Sequence, residues 1–358
     1  MRKISVCFIF AVVALGVGTH VSVAEQTPSQ PLTPSVTAGV MSDGGEGAPY
    51  TLPGALQYDI TSQINGRAYR IFVSTPYNYQ PTLAYPVLYV LDGNWIFPSA
   101  NRFMRWSETR DPGIVVGIGY PTDDDYGEIS QARLFDLTPS PVWRTYTGGG
   151  GLDAFLRVIE EEVKPFVMTR YRVDSAKQSL YGHSLGGLAV LRCLFLNPES
   201  FSTYIAGSPA ICWNNREVLA DEAAFSTRAR AGELRLKLLI TSAEDEQYHG
   251  NDPQSLAADA KVGEFRLVDN ASELAARLAE LNPEQITVVR TIFDGESHHS
   301  SQAANISRAV RFAFSPTMMR LAPEVLARYV GIYQVSPTIS ITIRQTSDGL
   351  TGYMKGIG

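Results

Sequence analysis

Cysteine is scarce. The chain holds three in 358 residues, and Cys7 lies inside a leading apolar run behind bulky Val6, which is not the context of a lipoprotein signal. Cys193 and Cys212 are too few for a disulfide framework. They can pair once, and a buried free thiol is the ordinary alternative. A basic tract is missing as well: 30 Lys and Arg stand against 36 Asp and Glu, a net charge of −6. Nucleic acid is therefore excluded as the main partner, because phosphate binding needs clustered cations. No H-E-x-x-H or C-x-x-C spacing occurs, so no metal site is expected, and no motif calls for a cofactor. Beyond the first 24 residues, no apolar run approaches the roughly 20 residues of a spanning helix.

The first 24 residues have their own character. Arg2 and Lys3 precede an apolar run from Ile4 to Val17, and "VSVA" puts Ser22 and Ala24 at the small-residue positions that signal peptidase reads. Residues 1–24 are expected to be a cleaved export signal, so the mature protein is expected in the periplasm or outside the cell. Its removal takes two positive charges and leaves a balance of −8. Residues 25–50 are rich in Pro, Ser, Thr and Gly without hydrophobic periodicity, the composition of a flexible tether.

From Thr51 the pattern changes. "LQYDITSQINGRAYRIFVST" alternates apolar and polar residues around Asn65-Gly66, which predicts an antiparallel hairpin with a type I′ turn. Short apolar runs follow at 86–93, 113–120, 178–184, 201–209, 234–242 and 285–295, separated by segments of helical length. Helices are expected at Leu152 to Val167, Leu185 to Asn197, about Arg216 to Arg230, Ala271 to Leu281 and Ser301 to Phe314. The alternation predicts an α/β class: a mostly parallel sheet, entered through an antiparallel hairpin, with helices on both faces. Residues 51–316 make one domain. Residues 120–151 show no clear periodic element, and their aromatics suit an ordered cover loop. Within it, Arg133 and Asp136 are expected to pair and fix the loop. After 317, "ISITIRQTSDGLTGYM" predicts a β hairpin turning at Ser347-Asp348-Gly349. A lone hairpin is marginal in water, so this extension must dock, pair between subunits or open a module that the chain cuts short.

The chemistry centres on "SLYGHSLGGLAVL". A serine is a weak nucleophile unless it is exposed, next to a base and close to oxyanion donors. Gly182-His183-Ser184-Leu185-Gly186 sits between a predicted strand and a predicted helix, the context of a nucleophile elbow. Ser184 is the candidate nucleophile. The Leu185 N–H, at the helix start, is one candidate oxyanion donor, and Gly93 or Asn94 of "LDGNW" is the second. Outside the leader only four histidines remain. His183 lies inside the elbow with its side chain expected to point away from Ser184, and His249 lies among acidic candidates. His298 and His299 follow the last strand, where a base belongs in this chain order; of the two, His298 is preferred. Glu244, Asp245 and Glu246, at the end of "LKLLITS", are all candidates for the orienting acid.

Taken together, "YPVLYVLDGN", "VVGIGYPTD", "RLFDLTPSP", "YGHSLGGLAVLRCLFLNPESFSTYIAGSPAICWNN" and "FDGESHHSS" resemble the "Putative esterase" branch of the α/β-hydrolases, over roughly residues 55–315. That branch includes exported esterases that open enterobactin- and bacillibactin-type trilactones. The resemblance implies an α/β-hydrolase fold, a serine esterase acting on a small-molecule ester, Ser184 as nucleophile, His298 as base and Glu246 as acid. Trp95, Arg133, Trp143 and Tyr146 are the candidate substrate contacts. The cover carries a balance of −3, so an anionic substrate would have to meet Arg133 and Arg144 facing inward. Two other readings share this pattern: acyl transfer to another alcohol, as in the related mycolyltransferases, and a binding protein built on the same fold.

Overall fold

A computed structural model describes residues 50–106, 112–124, 126–247, 265–314, 323–336, 339–346 and 349–355. The leader, the tether up to residue 49, Asp125, His249 and the Ser347-Asp348 turn lie outside them. Thr51–Gly358 forms one compact unit.

Strands β1 (Ala55–Thr61) and β2 (Ala68–Ser74) pair antiparallel. Their connection is longer than the expected two-residue turn. Only Gly66 adopts a positive φ. The Ser62 hydroxyl accepts the Ile64 and Asn65 N–H groups, and Asn65 spends its side chain on Arg67 N and Tyr69 Oη. These side-chain bonds build a wider loop without a second left-handed residue.

Next come β3 (Tyr85–Val90), β4 (Ile114–Gly119), the short pair β5 (Val142–Trp143) and β6 (Tyr146–Thr147), β7 (Val173–His183), β8 (Thr203–Gly207), β9 (Leu236–Ala243) and β10 (Ile286–Phe293). The large sheet runs β1-β2-β4-β3-β7-β8-β9-β10. It is parallel from β4 through β10. Every apolar run of the sequence thus becomes a strand; β3, β4, β8 and β9 are buried on both faces and have no polar side to spare, while the edge strand β10 is partly exposed. Strand order reverses between β3 and β7, which is where open α/β sheets place their sites.

Alternate residues feed two cores. Val87, Tyr89, Leu180, Leu238 and Ile240 face one layer, and Leu88, Val90, Tyr181 and Leu239 the other. Helices Gly93–Trp106 and Ser301–Phe314 pack on the second face. The first face carries Leu152–Val158, which continues through a π-helical turn Ile159–Val163 into Lys164–Met168, together with Leu185–Leu196, Glu222–Arg230 and Leu267–Ala279. This is the α/β-hydrolase architecture.

Several elements differ from the sequence expectation, the short β5–β6 pair in the cover among them. Gly93–Trp106 is a helix despite Pro98, and its buried residues Ile96, Phe97, Ala100, Asn101 and Met104 recur at helical spacing. The cover contains the helix Gly127–Asp136, which buries only Ile129 and Asp136 and so has little apolar periodicity to read. Its signal is polar: the Asp124 carboxylate accepts N–H groups from Tyr126, Gly127 and Glu128 at 2.8–3.0 Å, the usual service of an aspartate ahead of a helix. At the C-terminus a third strand, Gly331–Ser336, joins the hairpin Ile339–Thr346 and Gly349–Lys355.

Candidate active site

β7 ends at His183, and Ser184 takes φ 60°, ψ −115°, a strained conformation for a residue with a side chain. The elbow is braced from both sides. Ser184 N–H donates to Gly207 O at 2.9 Å, and Ser184 O accepts from Leu188 N and Ala210 N at 3.0 Å each. A Cβ on Gly182 would stand 2.3 Å from the Gly186 backbone, and one on Gly187 would stand 2.8 Å from Gly207 O and Pro209 Cα. The glycines are therefore required by close approach of helix and strand. Ser184 and Leu185 are half-buried, and the first N–H groups of the helix starting at Leu185 have no intrahelical acceptor.

Across the strand-order reversal, β3 runs into Asp92, which adopts φ 54°. Gly93 and Asn94 then form the first turn of the following helix, so their N–H groups are likewise without intrahelical acceptors. Asn94 uses its side chain structurally, with Oδ1 accepting from Tyr120 N at 2.8 Å and Nδ2 donating to Tyr120 O at 3.0 Å. Asp92 Oδ2 lies 3.4 Å from where a Gly186 Cβ would be, so the two candidate donor turns are neighbours.

The expected Arg133–Asp136 pair does not form. Arg133 reaches Asp92 with Nε at 2.8 Å and Nη2 at 3.0 Å. Asp136, fully buried, lies 3.3 Å from Arg67 instead. Helical spacing explains the miss: residues three apart lie on one face, but this face packs on the domain, and each charge finds a partner there. Burial pushes the Asp136 carboxyl up to about 6, against the opposing pull of Arg67 and the Tyr69 and Tyr120 hydroxyls.

β9 and β10 deliver the remaining groups. Glu246 closes a 3₁₀ turn, Glu244–Glu246, and is buried, whereas Glu244 is exposed and Asp245 half-buried. Glu246 Oε1 lies 2.7 Å from His298 Nδ1, and its Oε2 accepts the Ala243 N–H at 3.0 Å. Both oxygens are thus fixed, and His298 keeps Nε2 for other work. Glu244 serves the loop by accepting the Gly295 N–H at 2.9 Å, and Asp245 N–H donates to Glu296 O at 3.0 Å. His299 is exposed. His298 lies beside the elbow: its ring centroid is 4.7 Å from that of His183, whose Nε2 is 3.0 Å from His298 O. The geometry thus brings together Ser184's elbow, His298 and Glu246, with Leu185, Gly93 and Asn94 around them.

Residues 62–286 match the family described as "Putative esterase". The chain belongs to this esterase family. It is 35% identical over 290 residues to ferri-bacillibactin esterase BesA of Bacillus subtilis, covering 77% of this chain and 94% of that protein. To the siderophore triacetylfusarinine C esterase of Aspergillus fumigatus it is 34% identical, over 76% of this chain and 97% of that one. Among solved structures, the siderophore hydrolase EstB from Aspergillus nidulans superposes with a TM-score of 0.67 at 30% identity, over 76% of this chain and all of that one. The protein is a carboxylic ester hydrolase.

Two aromatic clusters of the esterase involve its cover segment. Trp95 lies 5.5 Å from the Arg133 guanidinium and 6.4 Å from the Tyr126 ring. Trp143 stacks on Tyr146 at 6.0 Å and meets Trp213 at 4.9 Å and Phe265 at 5.7 Å, and Arg144 lies over both Trp143 and Phe265. Trp213 and Phe265 were not singled out by the sequence; the position of "CWNN" just past β8 was the available signal for the first. Cys193 and Cys212 are both free thiols. Burial pushes them up to about 12 and about 11, which makes them poor nucleophiles. Among the described residues, no group of three or more His, Cys, Asp or Glu side chains is placed to hold a metal ion, and no helix is long and apolar enough to cross a membrane.

Proposed function

We propose that the esterase is an exported serine hydrolase that cleaves siderophore-class esters through an acyl-enzyme on Ser184. The observation that carries the mechanism is the 2.7 Å contact between buried Glu246 and His298 Nδ1 beside a strained elbow. With Nδ1–H donated to the carboxylate, His298 Nε2 takes the proton as Ser184 Oγ adds to the ester carbonyl. The developing oxyanion is held by the Leu185 N–H and by that of Gly93 or Asn94, with the dipole of helix Leu185–Leu196 adding to the field. Collapse expels the alcohol, which His298 protonates. Water then attacks the acyl-enzyme by the same route and restores Ser184.

The substrate class is supported by the names of the relatives, which are siderophore esterases, and by the paired aromatic and arginine surfaces. Trp95, and Trp143 with Arg144 over its face, suit flat, electron-rich groups, whereas the Arg133 charge is taken up by Asp92. The export reading belongs to this proposal and rests on residues 1–24. A fluorophosphonate probe is expected to label the wild type and not Ser184→Ala, and His298→Ala to abolish turnover of short p-nitrophenyl esters. Labelling that survives Ser184→Ala would sink the mechanism. Faster turnover of aliphatic esters than of any siderophore trilactone would sink the substrate class.

A further inference from the structure

His183 is a buried histidine that the mechanism above does not use. It is 5% exposed, it immediately precedes the nucleophile, and its Nε2 lies 3.0 Å from the main-chain oxygen of His298. A carbonyl oxygen only accepts, so this nitrogen must carry the hydrogen. Nδ1 is buried and has no hydrogen-bond partner among the described residues. A proton there would be an unsatisfied buried donor, and the Arg133 cation further opposes the added charge. The ring is therefore a neutral Nε2–H imidazole.

The same carbonyl has a second donor, and the chain of bonds continues under the site. Ser301 Oγ donates to His298 O at 3.3 Å, and Asn305 Nδ2 donates to Ser301 Oγ at 3.4 Å. Thr241 Oγ1 donates to Asn305 Oδ1 and accepts the Ser208 N–H at 3.3 Å. Ser301, Asn305, Thr241 and Ser208 are all buried. Gly207 leaves room for this chain, since a Cβ there would stand 3.1 Å from Asn305 Oδ1. Gly207 O also accepts the Ser184 N–H. One continuous polar path thus runs from the backbone beside the nucleophile to the backbone of the base.

We propose that His183 is a positioning residue, a neutral strut that clamps the His298 main chain to the elbow and, with Ser301, sets where the base meets Ser184. Glu246 orients the ring of His298; His183 locates its backbone. The inference rests on the Ser184–His298 reading.

The test exploits reach. A glutamine amide nitrogen can occupy the place of Nε2, whereas an asparagine amide reaches only to that of Nδ1. Phenylalanine keeps the ring packing and no donor. His183→Asn and His183→Phe are expected to lower kcat on p-nitrophenyl acetate by about 10- to 100-fold, the cost of a base misplaced by about an ångström, with KM within about threefold. His183→Gln is expected to stay within about threefold of wild type. Equal losses in Gln and Asn, or wild-type kcat in Asn, overturns the proposal, as does a loss that merely tracks the thermal midpoint across all three. Imidazole ¹⁵N spectra of the wild type supply a readout independent of turnover: His183 is expected as the Nε2–H tautomer and neutral from pH 8 to pH 5. An Nδ1–H tautomer, or titration within that range, overturns the strut. Turnover surviving in Ser184→Ala removes the hydrolase reading instead, and the spectra still decide the tautomer.

Discussion

Glu244 and Glu246 stand two residues apart, and their environments separate them. Glu246 is buried with both oxygens engaged, one on His298 and one on Ala243 N–H, whereas Glu244 is exposed and ties Gly295 N–H. Glu246→Gln is expected to lower kcat by about 10³- to 10⁴-fold, since an amide in place of an orienting carboxylate favours the wrong imidazole tautomer. Glu244→Gln is expected to stay within about twofold, so steady-state kinetics of the two variants distinguishes the acid from its neighbour. Asp136 carries a stability consequence. Its folded pKa, about 6, lies above the ordinary carboxylate value. The folded state therefore binds the extra proton, and this contribution is present below about pH 4 and lost as pH rises to about 6. Asp136→Asn is expected to flatten the fall in thermal midpoint across that window. His183 works in the opposite sense. Burial, then His298 and Arg133, hold it well below its ordinary value, so its contribution is present above about pH 6.5 and lost as pH falls.

The cover helix Gly127–Asp136 is held by charge. Arg133 grips Asp92 at the turn that precedes Gly93, and Asp136 reaches Arg67 in the loop that joins β1 to β2. The element that roofs the site is therefore tied to the turn carrying a candidate oxyanion donor. Arg133→Met leaves the 4%-exposed Asp92 carboxylate unpaired, and breaking a buried pair from one side costs about 3–5 kcal/mol. Denaturant unfolding of Arg133→Met is expected to show a loss of that order, and Arg133→Met with Asp92→Asn to recover part of it. This helix was illegible in hydrophobic periodicity because it buries a single apolar residue, Ile129. Pro98 hid the helix Gly93–Trp106 for a different reason, since its apolar spacing was present. The parallel strands were legible throughout, since each is an apolar run between turns.

On the scale of the molecule, the parallel strands end in step. Gly182 pairs with Ala206, Ala206 with Ile240, and Ala243 with Phe293. Asp92, Ser184, Ser208, Glu246 and His298 therefore emerge along one edge of one sheet, although they span more than 200 residues of sequence. Such a frame takes new substrates by changing the segments that join its strands, and here those segments contribute Trp95, Tyr126, Trp143, Tyr146, Trp213 and Phe265. A panel of aryl, aliphatic and trilactone esters is expected to rank the trilactones first by kcat/KM. Protein recovered outside the cytoplasm is expected to begin at Glu25, which intact mass spectrometry measures; a full-length mass would reject cleavage after Ala24.

The sequence by itself determined the strands, the elbow and the identity of Ser184 and His298 as candidates, because strand burial and a glycine-flanked turn are written in local residue types. It also carried the family, whose motifs are contiguous. The resemblance pointed to Glu246, but only the tertiary structure gave the physical reason that it differs from Glu244 and Asp245, paired Arg133 with Asp92, and set His183 against the His298 carbonyl. Each of those depends on which distant segment arrives beside a side chain. Burial and partner geometry are properties of the packed sheet, and three adjacent carboxylates become different acids only when one of them is enclosed.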